Sequence, residues 1–123
     1  MKKLLWAALA VVIPLGALQA MSVATFLDKA DALQRRGAFA LFSSDIGLLK
    51  GEINDAGAAL RAERLAATRA GRRPAFCPPG ERATVNSNEL LAHFRAIPPA
   101  QRAHIEVRDA LRGFLARKYT CPA

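Results

Sequence analysis

Hydrophobic positions recur with helical spacing in four separate stretches of the chain. Val23, Phe26, Leu27, Ala30 and Leu33 share one face of a helix that Ser22 can cap and that runs to about Arg36. Arg35 and Arg36 occupy its last turn, and Gly37 stands where a left-handed terminating residue is expected. The apolar connection that follows, Ala38 to Phe42, reads as short and buried, with its conformation left open. Ser43-Ser44-Asp45 then opens the longest predicted helix, which continues to about Ala70 and closes at Gly71. Ile46, Leu49, Ile53, Ala56 and Leu60 repeat at alternating steps of 3 and 4, a seam for neighbouring helices. Gly47, Gly51, Asn54 and Ala58 form a second line on the same helix. Each interior glycine costs about 1 kcal/mol relative to alanine. Such a line predicts close approach by another helix, the first one being the candidate; a ligand passing over bare backbone is the alternative. Beyond Leu60 the pattern gives way to an alanine-rich, charged extension whose outer end is expected to project.

Arg72 to Val85 carries prolines and glycines without a clear period and reads as a loop. Asn86 or Ser87 caps a third predicted helix, with Glu89 placed for a capping box and Leu90, Leu91, Phe94 and Ile97 facing inward. Pro98-Pro99 ends it, because neither ring can continue the hydrogen-bond ladder. A single turn over Pro99 to Arg102 leads to a last helix from about Ile105 to Lys118. Its inward residues are Val107, Ala110, Leu111, Phe114 and Leu115. No stretch alternates with the strand period. The expected fold is therefore all-α, a small domain of four to five helices.

The chain start changes where this domain is expected to live. Met1-Lys2-Lys3 precedes an apolar run from Leu4 to Leu18, broken late by Pro14 and Gly16 and followed by Gln19-Ala20. That is the layout of a secretory signal, with Ala20 a small residue suited to cleavage. The rival is an uncleaved anchor, but a run of 15 residues is short for a bilayer that needs about 20. The expected division is thus a signal peptide over 1–20 and a helical domain over 21–123. No cysteine follows the expected cut, so the pattern is not that of a lipoprotein.

Export gives the two cysteines a role. Cys77 and Cys121 bracket the last two predicted helices, and in an oxidising compartment they are expected to pair. The same pairing argues against chemistry at sulfur, since a disulfide has no thiolate to offer as nucleophile or metal ligand. His93 and His104 alone make a poor metal site or catalytic base. Neither a nucleophile elbow, a zinc-protease helix nor a phosphate-binding glycine loop is present. The carboxylates lie mostly on outward helix faces and nominate no acid–base pair. The expectation is a protein that is not an enzyme, with no catalytic residues, no cofactor and no metal.

Charge carries more information. Of the 123 residues, 18 are Lys or Arg and 10 are Asp or Glu, a formal charge of +8. Arginines cluster at 61, 64, 69, 72, 73 and 82, and again at 102, 108, 112 and 117 beside Lys118. Arginine suits forked contact with carboxylate or phosphate. The plain reading is a solvated face laced with pairs such as Asp109 with Arg112. The functional reading is a partner-binding surface, for which Arg72, Arg73 and Arg102 are the candidate contacts. Nucleic acid is a poor partner, since export removes the usual target and no aromatic side chains interleave the arginines.

Cys77-Pro78-Pro79-Gly80, the Asn86-to-Ile97 helix with Glu89-Leu90-Leu91 and Phe94, Pro99 with Arg102, Ala110-Leu111 and Tyr119-Thr120-Cys121 together resemble the Rap/Tai-type immunity proteins of type VI secretion. Gly47-Leu48-Leu49-Lys50-Gly51 resembles the glycine-spaced central helix of that family, and the likeness extends from about Asp45 to Cys121. Ser43 and Ser44 stand near where members carry further cysteines, and the Arg61-to-Arg73 extension has no counterpart. The resemblance implies a small helical periplasmic protein that binds and blocks a peptidoglycan-cleaving amidase effector. The alternative expectation is a general envelope protein that associates with anionic lipid or lipopolysaccharide through its arginine clusters.

Overall fold

Ser22 starts the first helix by accepting a hydrogen bond from the Thr25 backbone N–H at 3.1 Å through its side-chain oxygen. This N-cap satisfies one of the donors that a helix start leaves open. The computed structural model describes residues 20–80 and 84–123. The expected signal peptide, apart from Ala20, lies outside them, as does Arg82. Four α-helices form among the described residues: α1 (Val23–Arg36), α2 (Ser44–Arg69), α3 (Ser87–Arg95) and α4 (Val107–Lys118). A 3-10 turn over Gly37–Phe42 joins α1 to α2, and another over Arg102–His104 precedes α4. The only strand-like feature there is one isolated antiparallel bridge between Ser22 and Glu106. Around it, Val23 N–H donates to the Ile105 carbonyl at 2.8 Å and Val107 N–H to that of Met21 at 2.9 Å. The starts of α1 and α4 are thereby pinned together.

Inward faces of all four helices meet in one apolar core. Phe94 of α3 is fully buried, and Phe26 of α1 meets it edge to face with ring centroids 5.4 Å apart. Leu60 of α2 and Leu111 of α4 close the core on the other side, at 0% and 1% exposure. From the expected α2 seam, Leu49, Ala56 and Leu60 are buried and Ile53 is half-buried. The end of α2 does more than project: Ala67 is buried, while Leu65 faces solvent. Gly71 takes a φ of 69°, Arg72 N–H reaches the Ala67 carbonyl at 2.8 Å and Gly71 N–H that of Thr68 at 3.1 Å. That pair of bonds is a Schellman termination, which favours glycine because a side chain is strained at that φ.

Ion pairs stitch the helices at their edges. Arg112 of α4 forks onto Glu63 of α2 at 2.8 and 3.1 Å and also holds Asp109 at 2.8 Å. Both carboxylates raise the Arg112 pKa above its ordinary value. Arg95 of α3 reaches Asp31 of α1 at 2.8 Å, and Lys118 of α4 reaches Glu89 of α3 at 3.0 Å. Exposed pairs of this kind each contribute about 0–1 kcal/mol, so the core and the crosslink carry the fold.

Three local expectations change. Asn86 caps α3 by accepting from the Asn88 and Glu89 backbone N–H groups, but Glu89 does not close a capping box, because its carboxylate is drawn to Lys118. Among the described residues no helix approaches the glycine line of α2: a Cβ at Gly47 or Gly51 would meet nothing within 4 Å. The neighbours of α2 pack on its Leu49–Leu60 seam, which leaves the glycine face open. The connection Ala38 to Phe42 is not buried: Phe39, Leu41 and Phe42 all point into solvent.

His93 of α3 packs edge to face on Phe114 of α4 at 5.6 Å. Burial, with the Arg117 charge adding to it, lowers its pKa below the ordinary histidine value, while hydrogen bonding to the Ala110 backbone works in the opposite direction. The folded state therefore resists protonation of His93 more than the unfolded chain does. The stability this preserves is complete above about pH 6.5, the ordinary histidine value, and is lost as pH falls towards the lower folded value. Thermal midpoints are expected to fall between pH 7 and pH 5, and His93→Gln to flatten that slope. An unchanged slope in the variant assigns the dependence elsewhere.

Candidate functional site

Cys77 and Cys121 form a disulfide, with Cα atoms 4.9 Å apart, closing a loop across 44 positions. The link sets the loop after α2 against the chain's tail. Cys77 N–H donates to the Tyr119 carbonyl at 2.8 Å, and the Arg73 guanidinium donates to the Cys121 carbonyl at 2.8 Å. The Tyr119 hydroxyl accepts from Thr84 N–H at 3.1 Å and lies 3.2 Å from the Thr84 carbonyl, to which it donates. Anchored this way, Phe76 sinks to 4% exposure, with the Arg64 guanidinium over its ring at 5.9 Å.

Phe76 and Val85 become one wall of a groove of about 500 Å³. The opposite wall is α4, through Leu111 and Leu115, and the floor is the bare side of α2 at Asn54, Gly57 and Ala58. Arg61 and Arg64 stand on its rim. A Cβ at Gly57 would meet nothing within 4 Å, so the groove comes as close to the α2 backbone as that glycine allows. An adjoining hollow of about 410 Å³ shares Ile53, Asn54 and Val85 and continues between α1, α2 and α3 along Phe26, Leu33 and Leu90. The two together give a largely apolar trough with Arg61 and Arg64 towards one end and Lys50 towards the other. Arg61 is exposed, and among the described residues no carboxylate pairs with it.

The expected contact arginines separate in the structure. Arg72 is exposed at a smaller hollow beside Ala67 and Phe76. Arg73 is held by the Cys121 carbonyl. Arg102 donates to the carbonyls of Ile97 at 2.9 Å and Arg95 at 2.8 Å, which ties off the end of α3. Arg72 and Arg73 thus lie by the disulfide-bonded loop, whereas Arg102 belongs to the α3–α4 connection. His93 and His104 do not join a cluster: among the described residues no three His, Cys, Asp or Glu side chains converge as a metal site requires.

Gly57, Val85 and the depth of Phe76 escape a reading of the sequence alone. Asn54 and Ala58 belong to the small-residue line already apparent there, with Gly57 one position before Ala58. That line was the available signal. No helix of the described residues is long and apolar enough to cross a membrane. No family model, no curated protein and no solved structure matches the chain.

Proposed function

We propose that this chain is an exported helical binding protein that inhibits a secreted hydrolase by occlusion, as an immunity-type partner of a peptidoglycan amidase. The observation that carries this reading is the trough over α2, with the apolar side chains of Phe76, Val85, Leu111 and Leu115 in its walls and Arg61 and Arg64 beside them. Such a site suits a protein segment that presents apolar side chains beside a carboxylate. Export draws support from the Cys77–Cys121 bond, since disulfides persist in oxidising compartments. The resemblance of the Cys77-to-Cys121 stretch to immunity proteins supplies the class of partner. Arg72 is an exposed candidate contact, while Arg73 and Arg102 act through the shape they hold. A grip on anionic envelope lipid by the arginine clusters draws less support. Arg112 and Arg108 face carboxylates, and Arg73 and Arg102 face carbonyls.

A titration of amidase-catalysed peptidoglycan cleavage with the purified chain tests the reading. Cleavage is expected to stop at equimolar protein. Gly57→Leu is expected to raise helix stability by about 0.7 kcal/mol while filling the trough. Its inhibition is expected to weaken by about 30-fold, the scale of one lost hot spot. A wild-type chain without effect on any amidase of the same envelope removes the proposed function. Equal inhibition by Gly57→Leu removes only the trough as its site.

A further inference from the structure

The 3-10 turn between α1 and α2 holds the largest exposed apolar side chains among the described residues. Phe39, Leu41 and Phe42 are 76%, 80% and 88% exposed, so none of them leans on the core. Three large apolar side chains exposed within four residues of a small protein mark a surface that something covers. Its backbone is largely provided for: Gly37 N–H donates to the Gln34 carbonyl, and Ser43 N–H to that of Ala40 at 3.0 Å. Gly37, at a φ of 57°, redirects the chain as it leaves α1. A turn with internal hydrogen bonds can leave water without stranding its polar groups.

The charges around it indicate what covers it. Arg35 and Arg36 immediately precede the turn, both exposed and neither in an ion pair among the described residues. No acidic residue occurs between Asp31 and Asp45. Asp31 is neutralised by Arg95 at 2.8 Å, and Asp45 by Lys29 at 3.5 Å. Two unpaired cations beside three protruding apolar side chains match the layering of an anionic bilayer, phosphate outside and acyl chain beneath.

We propose that Phe39, Leu41 and Phe42 insert into the headgroup–acyl boundary of an anionic phospholipid membrane, with Arg35 and Arg36 on the phosphates. The contact attaches the protein without spanning, as six residues reach only the interfacial layer. It is separate from the trough over α2 and from the arginines of the C-terminal half, so Gly57→Leu leaves it intact.

Trp6 is the only tryptophan, so the full chain carrying Trp6→Phe and Phe42→Trp reports on residue 42 alone. With phosphatidylglycerol vesicles its emission is expected to shift to the blue and to be quenched by brominated acyl chains. Adding Arg35→Gln and Arg36→Gln is expected to weaken partitioning about 30-fold, the contribution of two interfacial cations. Attachment through the chain start instead leaves residue 42 open to aqueous quenchers, and that result overturns the proposal. So does a blue shift that grows with protein concentration in the absence of lipid, which assigns the turn to a second copy. A response confined to lipopolysaccharide, or one indifferent to the two arginines, overturns it as well.

Discussion

Replacing Cys77 and Cys121 together by serine is expected to lower stability by about 4 kcal/mol, the loop-closure contribution for a crosslink of this span. A domain of this size has about 5–15 kcal/mol in total, so the loss takes a large share of it. The thermal midpoint is expected to drop by about 20 °C. The urea midpoint is expected to fall by about 2 M. The effect reaches the trough, because Phe76 sits beside Cys77 and its burial depends on the loop being held to the tail. Reductant added to the wild-type protein is expected to reproduce the shift and to leave the serine variant unchanged. A loss below about 1 kcal/mol contradicts the role given to the crosslink.

Phe94→Ala is expected to cost about 4 kcal/mol, within the range for deleting a buried aromatic ring. The ring has no exposure and meets Phe26 at 5.4 Å, with the His93 ring 6.4 Å away. It stands where α1, α3 and α4 join, so its loss opens a cavity that three helices cannot easily close. Phe94→Leu, which keeps most of the volume, is expected to cost about 1.5 kcal/mol or less. Chemical denaturation of the two variants gives the comparison. Equal costs mean that the site collapses freely and that Phe94 is not a keystone of the core.

Much of this architecture was legible in the residues. Ser22 caps α1 as expected, Ser43 of the expected Ser-Ser-Asp start caps α2, Asn86 rather than Ser87 caps α3, and Gly37 and Gly71 end α1 and α2 with positive φ. Those signals are local, each resting on a hydrogen bond or a dihedral angle within a few residues. The Cys77–Cys121 pairing was legible for a different reason, as the only pairing two cysteines allow. What failed was long-range. Hydrophobicity at Phe39, Leu41 and Phe42 suggested burial, but six residues between two helix ends leave no room to fold back onto the core. The glycine line of α2 suggested a tight helix contact, but the Leu49–Leu60 seam already takes the available neighbours. Asn54 and Ala58 of that line, with Gly57 beside them, became the floor of the trough, while Gly47 and Gly51 do not line it. Phe76 lies in loop as expected, but its burial against the core cluster that includes Leu60 was not legible, because the crosslinked tail holds it there.

Amide hydrogen exchange of the oxidised chain, alone and with an equimolar peptidoglycan amidase, tests most directly whether the trough is the binding site. Added protection is expected over Ile53 to Arg64 and at Thr84 to Asn86, where α2 and the loop wall face each other. Protection confined to other surfaces, with these two segments exchanging as they do in the free protein, contradicts it.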